Sequence, residues 1–277
     1  MAGLHSDALY QYERFSLYNS PYPAHDTGCA IDLYPEDDEA VSPVSGDILE
    51  TRTVRCPKKP YAVSEDSLIL IDCGDHIARI LHVDPTVGSG DSIEVGDSLG
   101  SLVRSGFFGR WVDNHLHLGF RRPEQNLQRA SGSLPMDIEL SVSGVHWDGT
   151  GTVIETGQTY VLLDSPSSGT DGFAALASDD GVPLDGGLTH YAGGGVLGAG
   201  SGELSLLGTP IGEVDGRTVE WHDVAIYVDE LRATGLSLFA SQGFLGVKLV
   251  FHDGHHFSVG DTVEVAVEPT DEPMRLG

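Results

Sequence analysis

The sequence predicts an all-β protein: a compact β domain followed by a second β-sandwich or β-barrel domain. Three observations carry this. The chain has 277 residues, and at about 150 residues per domain that length suggests two domains. Its 36 glycines fall among turn signals spaced roughly eight to twelve residues apart, with short β-branched runs between them. No long stretch keeps the period of an amphipathic helix. Helical pieces are expected only at Ser6–Phe15 and Asp229–Thr234.

The expected strands follow in order. In the first half they are Ala30–Leu33, Gly46–Val54, Ser67–Asp72, His76–Val83, Ser98–Leu102 and His115–Phe120. The last alternates cleanly, with Leu116, Leu118 and Phe120 on one face. The polar stretch around Arg121–Ser133 reads as a boundary, with 124–133 as the linker. Strands resume in a β-rich C-terminal domain, 134–277, at Met136–Val142, Gly151–Glu155, Thr159–Leu163, Thr218–Val228, Gly235–Ala240, Gly246–Phe251 and Thr262–Val267. Between Ser165 and Gly216 the abundance of Gly, Ser and Asp predicts long loops around a few short strands. Val95-Gly96-Asp97-Ser98 and Val259-Gly260-Asp261-Thr262 look alike, and both are expected to be hairpin turns.

Composition narrows the function. Acidic residues number 42 against 15 basic, for a net charge of -27. Such a surface repels nucleic-acid phosphates and anionic membranes alike. No run approaches eighteen apolar residues, so no membrane insertion is expected. Met1–Phe15 lacks a basic region followed by an apolar core, so no signal peptide is expected either. Lysine is nearly absent (Lys58, Lys59 and Lys248). Acidity with lysine depletion suits a cytoplasmic protein of a halophile, in which molar salt screens the self-repulsion. Cys29, Cys56 and Cys73 form no C-x-x-C pair, which agrees with a cytoplasmic location and gives no disulfide framework.

The chemistry is expected in the first half. His115 and His117 lie two apart on a strand and share one face. Adjacent imidazoles can supply one metal ligand and one proton-transfer group. A catalytic zinc commonly takes three protein ligands and a water, and the bound water becomes a nucleophile near neutral pH. A carboxylate and a further histidine are then needed from elsewhere, and His25 and Asp32 stand before and within an early strand.

Four ordered signals strengthen this. They are His25-Asp26-Thr27-Gly28-Cys29-Ala30-Ile31-Asp32 leading to Pro43-Val44-Ser45-Gly46; Leu68–Gly74 leading to Ile80-Leu81-His82; Val95-Gly96-Asp97-Ser98-Leu99-Gly100; and His115-Leu116-His117. This set resembles the lysostaphin-type zinc endopeptidases over residues 18–123, which leaves 1–17 as an N-terminal extension. The resemblance implies a compact β domain with zinc in a groove, held by His25, Asp32 and His117. It implies that His82 and His115 position or deprotonate the attacking water and stabilise the oxyanion of a peptide substrate. Two departures accompany it. His25 and Asp32 are seven residues apart where the family has four, so either the turn carries an insertion or Cys29 takes the place of His25. The mid-domain His82 follows Ile80-Leu81 where the family has an aromatic-Ala pair.

Other readings stand beside this one. The hairpins at Val41–Ile48 and Val95–Gly100 also resemble lipoyl and biotinyl carriers, but Lys58 and Lys59 lie in the wrong segment for a carrier lysine. A phosphocarrier with two facing histidines needs no metal. A catalytically inactive zinc-binding scaffold on the same fold would keep the ligands and lose the activity. His252, His255 and His256 flank Asp253-Gly254 and are expected in an exposed turn. Glu36-Asp37-Asp38-Glu39 lacks calcium-loop spacing.

Overall fold

The computed structural model describes residues 2–169 and 171–276. The protein is all-β and two-domain. Among the described residues the one α-helix is the single turn Ser6–Leu9, and no helix is long and apolar enough to cross a membrane. Two compact units are distinguished. One comprises residues up to Phe15 with Thr27–Leu140; the other comprises Ser16–Asp26 with residues from Ser141 onward.

In the first unit six strands lie side by side: Ala30–Tyr34, Leu116–Arg121, Ile77–Leu81, Glu65–Asp72, Gly46–Arg55 and Ser92–Ile93. Every neighbouring pair is antiparallel. Leu68, Ile69, Leu70 and Ile71 are all buried, as a strand covered on both faces requires. A smaller antiparallel sheet joins Glu39–Val41, Ser98–Leu102 and Val83–Pro85. The chain turns from the larger sheet into the smaller one at His82. Leu81 pairs with Leu68 and His117, whereas Val83 pairs with Leu102. His82 itself has φ 72, a left-handed conformation that costs a non-glycine residue about 1–2 kcal/mol.

Two segments expected to lie outside the first domain are integral to it. Of the expected extension 1–17, residues 2–15 belong to the first unit: Ala2–His5 pairs in parallel with Met136–Glu139, and Leu9, Tyr12 and Phe15 are fully buried. The three-residue spacing of those side chains mimics a helix over 6–15, but only Ser6–Leu9 is helical and Arg14–Ser16 is a strand. Residues 124–133 are no free linker. The Arg121 guanidinium donates to the carbonyls of Arg129, Ala130 and Ser131, and Arg79 Nε donates to the Leu127 carbonyl at 2.7 Å. Both arginines are buried, and the planar, multi-donor guanidinium suits such a carbonyl cluster.

The second unit contains one ten-stranded antiparallel sheet. Its order is Thr209–Trp221, Gly193–Leu206, Leu184–Leu188, Gly235–Leu238, Val247–Val250, Tyr160–Leu163, Thr150–Gly157, Thr262–Pro269, Val224–Val228 and Leu231–Ala233. One apolar cluster runs from Trp147 to Val267 through nearly all of these strands. The region 165–216 is not mainly loop. Gly193–Leu206 and Thr209–Trp221 form its longest hairpin. Its low β-propensity hides the strands, and the register decides the turn: Leu206 pairs with Thr209, leaving Leu207 and Gly208 at φ 53 and 78, the two-residue turn that matches strand twist. Asp229–Thr234 is likewise no helix but a hairpin, with Val228 opposite Leu231 and Asp229 at φ 50.

The two look-alike turns share one construction, and a third copy exists. In Glu94–Asp97, Ser258–Asp261 and Gly88–Asp91, the glycine at the third position has φ between 93 and 96, as a type II turn requires. In each, the aspartate carboxylate accepts the first residue's N–H at 2.7–2.8 Å. One further residue (Ser42, Val153 or Ile48) bonds the turn through both its N–H and its carbonyl.

Candidate metal centre

Asp32 sits in the middle of Ala30–Tyr34, a strand buried along its whole length. Across the antiparallel pair its register partner is His117. His117 Nδ1 lies 2.8 Å from Asp32 Oδ1, and His115 Nε2 lies 3.6 Å from Asp32 Oδ2. One carboxylate thus faces both imidazoles of the His115-Leu116-His117 sequence, while Leu116 and Leu118 are fully buried. His25, Asp32 and His117 each offer one ligand atom, and these atoms all lie within 4.8 Å of one another. The His25 ring is oriented by Nδ1, which donates to the Leu17 carbonyl at 2.8 Å. A bond of that kind fixes the tautomer and leaves Nε2 as the ligand nitrogen. Cys29 is not in the group; its thiol lies 3.2 Å from Thr27 Oγ1.

His115 and His82 adjoin the group without belonging to it. Their ring centroids are 5.0 Å apart in a T-shaped pair, and His82 is 5.9 Å from His117. Phe108 packs against both, at 4.6 Å from His115 and 5.1 Å from His82. His115 Nδ1 donates to the Asp113 carbonyl at 2.9 Å. Burial pushes the His115 imidazole down to about 4, against the opposing pull of Asp32. It is therefore a neutral ring at ordinary pH.

His82 has a different support. Asp66 Oδ2 accepts its Nδ1–H at 2.6 Å, and Asp66 Oδ1 accepts its backbone N–H at 2.8 Å. The His82 carbonyl accepts the Val103 N–H. These bonds hold the left-handed corner. Ser105 Oγ also donates to Asp66 Oδ2 at 2.6 Å. Burial alone would raise the Asp66 carboxyl, but the bonds from His82, Ser105 and Ser67 outweigh it and hold the group below the usual carboxylate range.

The five polar residues singled out in the sequence are thus close together, with His25, Asp32 and His117 as the ligand-bearing group. Asp66, Ser105 and Phe108 were not foreseen. Asp66 lies 16 residues before His82 in Ser64-Glu65-Asp66-Ser67, which reads as an acidic surface turn. Only the strand pairing Leu68↔Leu81 reveals that it ends beside the histidine. His255 bonds the Gly157 carbonyl and lies beside Phe257. Among the described residues neither it nor the Glu36–Glu39 run joins a metal-binding group.

No curated protein matches the sequence. Residues 3–138 match the family model described as "Domain of unknown function (DUF8155) N-terminal domain". Residues 143–268 match that described as "Domain of unknown function (DUF8155) C-terminal domain". With both halves matched in order along nearly its whole length, the chain belongs to the DUF8155 family.

Proposed function

We propose that the protein is a zinc-dependent peptide-bond hydrolase of the lysostaphin type. The observation that carries this reading is the convergence of the His25, Asp32 and His117 ligand atoms within 4.8 Å, beside two further histidines. Two imidazoles and one carboxylate are a donor set that zinc takes in catalytic sites, where a fourth position stays open. When bound, zinc supplies an acidified water and polarises a carbonyl.

The chain's own residues then divide the work. His25 and His117 contribute neutral nitrogens, and Asp32 contributes the single negative charge among the ligands. His82 takes a proton at Nε2, its Nδ1–H being held by Asp66. His115, neutral and with its Nδ1 proton tied to Asp113, stays a fixed polar group beside the carboxylate rather than a second cation. Phe108 covers one side of both rings and limits water there. The net charge of -27 suits a working medium of molar salt and a cytoplasmic site of action.

The test is elemental analysis of protein purified in molar salt, with hydrolysis of a peptide library followed by mass spectrometry. About one zinc per chain and cleavage that a chelator abolishes are expected. Zinc without cleavage of any peptide would favour the inactive scaffold. No bound metal and no zinc uptake would end the reading altogether.

A further inference from the structure

We propose that Asp66 is a positioning residue that fixes the tautomer of His82, keeping its proton on Nδ1 and leaving Nε2 as the basic nitrogen. The count of donors around the carboxylate carries this. Asp66 Oδ1 accepts the backbone N–H groups of Ser67 at 2.7 Å and His82 at 2.8 Å. Oδ2 accepts the Ser105 hydroxyl and His82 Nδ1, both at 2.6 Å. A carboxylate offers about four lone-pair sites and no proton, so four donors fill it. His82 Nδ1 must then be the N–H. The carboxylate side chain is fully buried, with 0 % exposure, so water does not supply a competing partner. Both oxygens are anchored to backbone or hydroxyl donors, which fixes the direction of the His82 bond as well as its sense.

Asp66→Asn keeps the shape and reverses the chemistry. The amide oxygen can keep the two backbone donors, while the amide nitrogen replaces Oδ2 and presents hydrogens to Ser105 Oγ and His82 Nδ1. Nδ1 must then accept, and the imidazole proton moves to Nε2. Every polar atom still has a partner, so folding is expected to survive. The predicted consequence for catalysis rests on the hydrolase reading; the tautomer does not.

The test uses full-length protein labelled with 15N-histidine, recorded well above the ordinary histidine range, with His82→Gln assigning the resonance. In the wild type, Nδ1 should show the protonated shift and Nε2 the unprotonated one. Asp66→Asn should exchange the two, and Ser105→Ala should leave them as in the wild type. In a peptide assay Asp66→Asn should lower kcat by about 10²–10⁴ with KM little changed. A wild-type His82 protonated on Nε2 overturns the proposal, and that spectrum decides even if Asp66→Asn fails to fold. A folded Asp66→Asn that retains Nδ1–H overturns it as well. If the tautomers exchange but no form of the protein cleaves peptides, the positioning role stands and the hydrolase reading falls.

Discussion

Asp32 and His117 are register partners on two adjacent antiparallel strands, and their side chains meet at 2.8 Å. Sheet pairing therefore sets this half of the candidate centre before any metal arrives. Asp32→Asn and His117→Ala should each lower zinc stoichiometry well below one per chain, because an amide or a methyl is a poor replacement for these donors. His115→Ala and His82→Gln should keep it near one. Equal metal loss in all four variants would mean that the ligands are assigned wrongly.

The fold should depend on salt. The net charge of -27 with only 15 basic residues is screened over about 3 Å at molar salt and over about 10 Å at 0.1 M. Dialysis between the two should lower the melting temperature and weaken the strand signal in far-ultraviolet dichroism. An unchanged melt would remove the case for a halophilic protein.

Arg121 should prove to be the clasp of the 122–133 segment. Replacing it with Met removes the guanidinium's hydrogen bonds to three backbone carbonyls, and a hydrogen bond to a charged group contributes about 1.5–3 kcal/mol. Trypsin should then cut rapidly after Arg129, which is exposed. Equal cleavage rates in wild type and variant would show that the clasp does not restrain the segment.

His190 supplies a pH dependence in the second unit. Burial, aided by Arg275, pushes its imidazole down to about 3, whereas an unfolded chain titrates near 6.5. Between those values the unfolded state binds a proton that the folded state does not. Stability therefore rises with pH through this window and is fully present above about 6.5, with a slope approaching ~1.4 kcal/mol per pH unit. Denaturant melts of His190→Gln between about pH 5 and 6.5 should show a shallower slope than wild type. Parallel slopes would count against a neutral, buried His190.

Gly208 should be irreplaceable in its hairpin. At φ 78 with nothing within 4 Å of an added Cβ, Gly208→Ala is penalised by conformation alone, by about 1–2 kcal/mol. Thermal melting should report the loss, and zinc content should not move.

What was legible in the sequence is what periodicity writes there. Alternation in 115–120 placed His115 and His117 toward a common partner, and both rings approach Asp32. Ala30–Tyr34 and Ser98–Leu102 were read to within a residue. The parts that escaped are long-range. Ala2–His5 reads as an extension until its partner Met136–Glu139, more than a hundred residues away, is known. The polar stretch after Arg121 reads as a linker because its stabilising donors sit on other strands. Gly193–Leu206 is rich in glycine, with its core side chain Val196 far along the strand from Leu204 and Leu206, so its pairing shows only in the turn and the register.

The three glycine–aspartate turns change the meaning of the acidic surplus. Asp91, Asp97 and Asp261 each tie down a backbone N–H. Asp179 does the same for Leu207 and Gly208, and Asp229 for Glu264. These carboxylates are loop fasteners that also carry charge. Anyone adapting the protein to dilute buffer by neutralising acids should spare them and begin with side chains such as Glu94 or Glu268, both exposed and neither serving a turn in this way. Neutralising indiscriminately would relieve repulsion and unpick hairpins at once, and the second effect would mask the first.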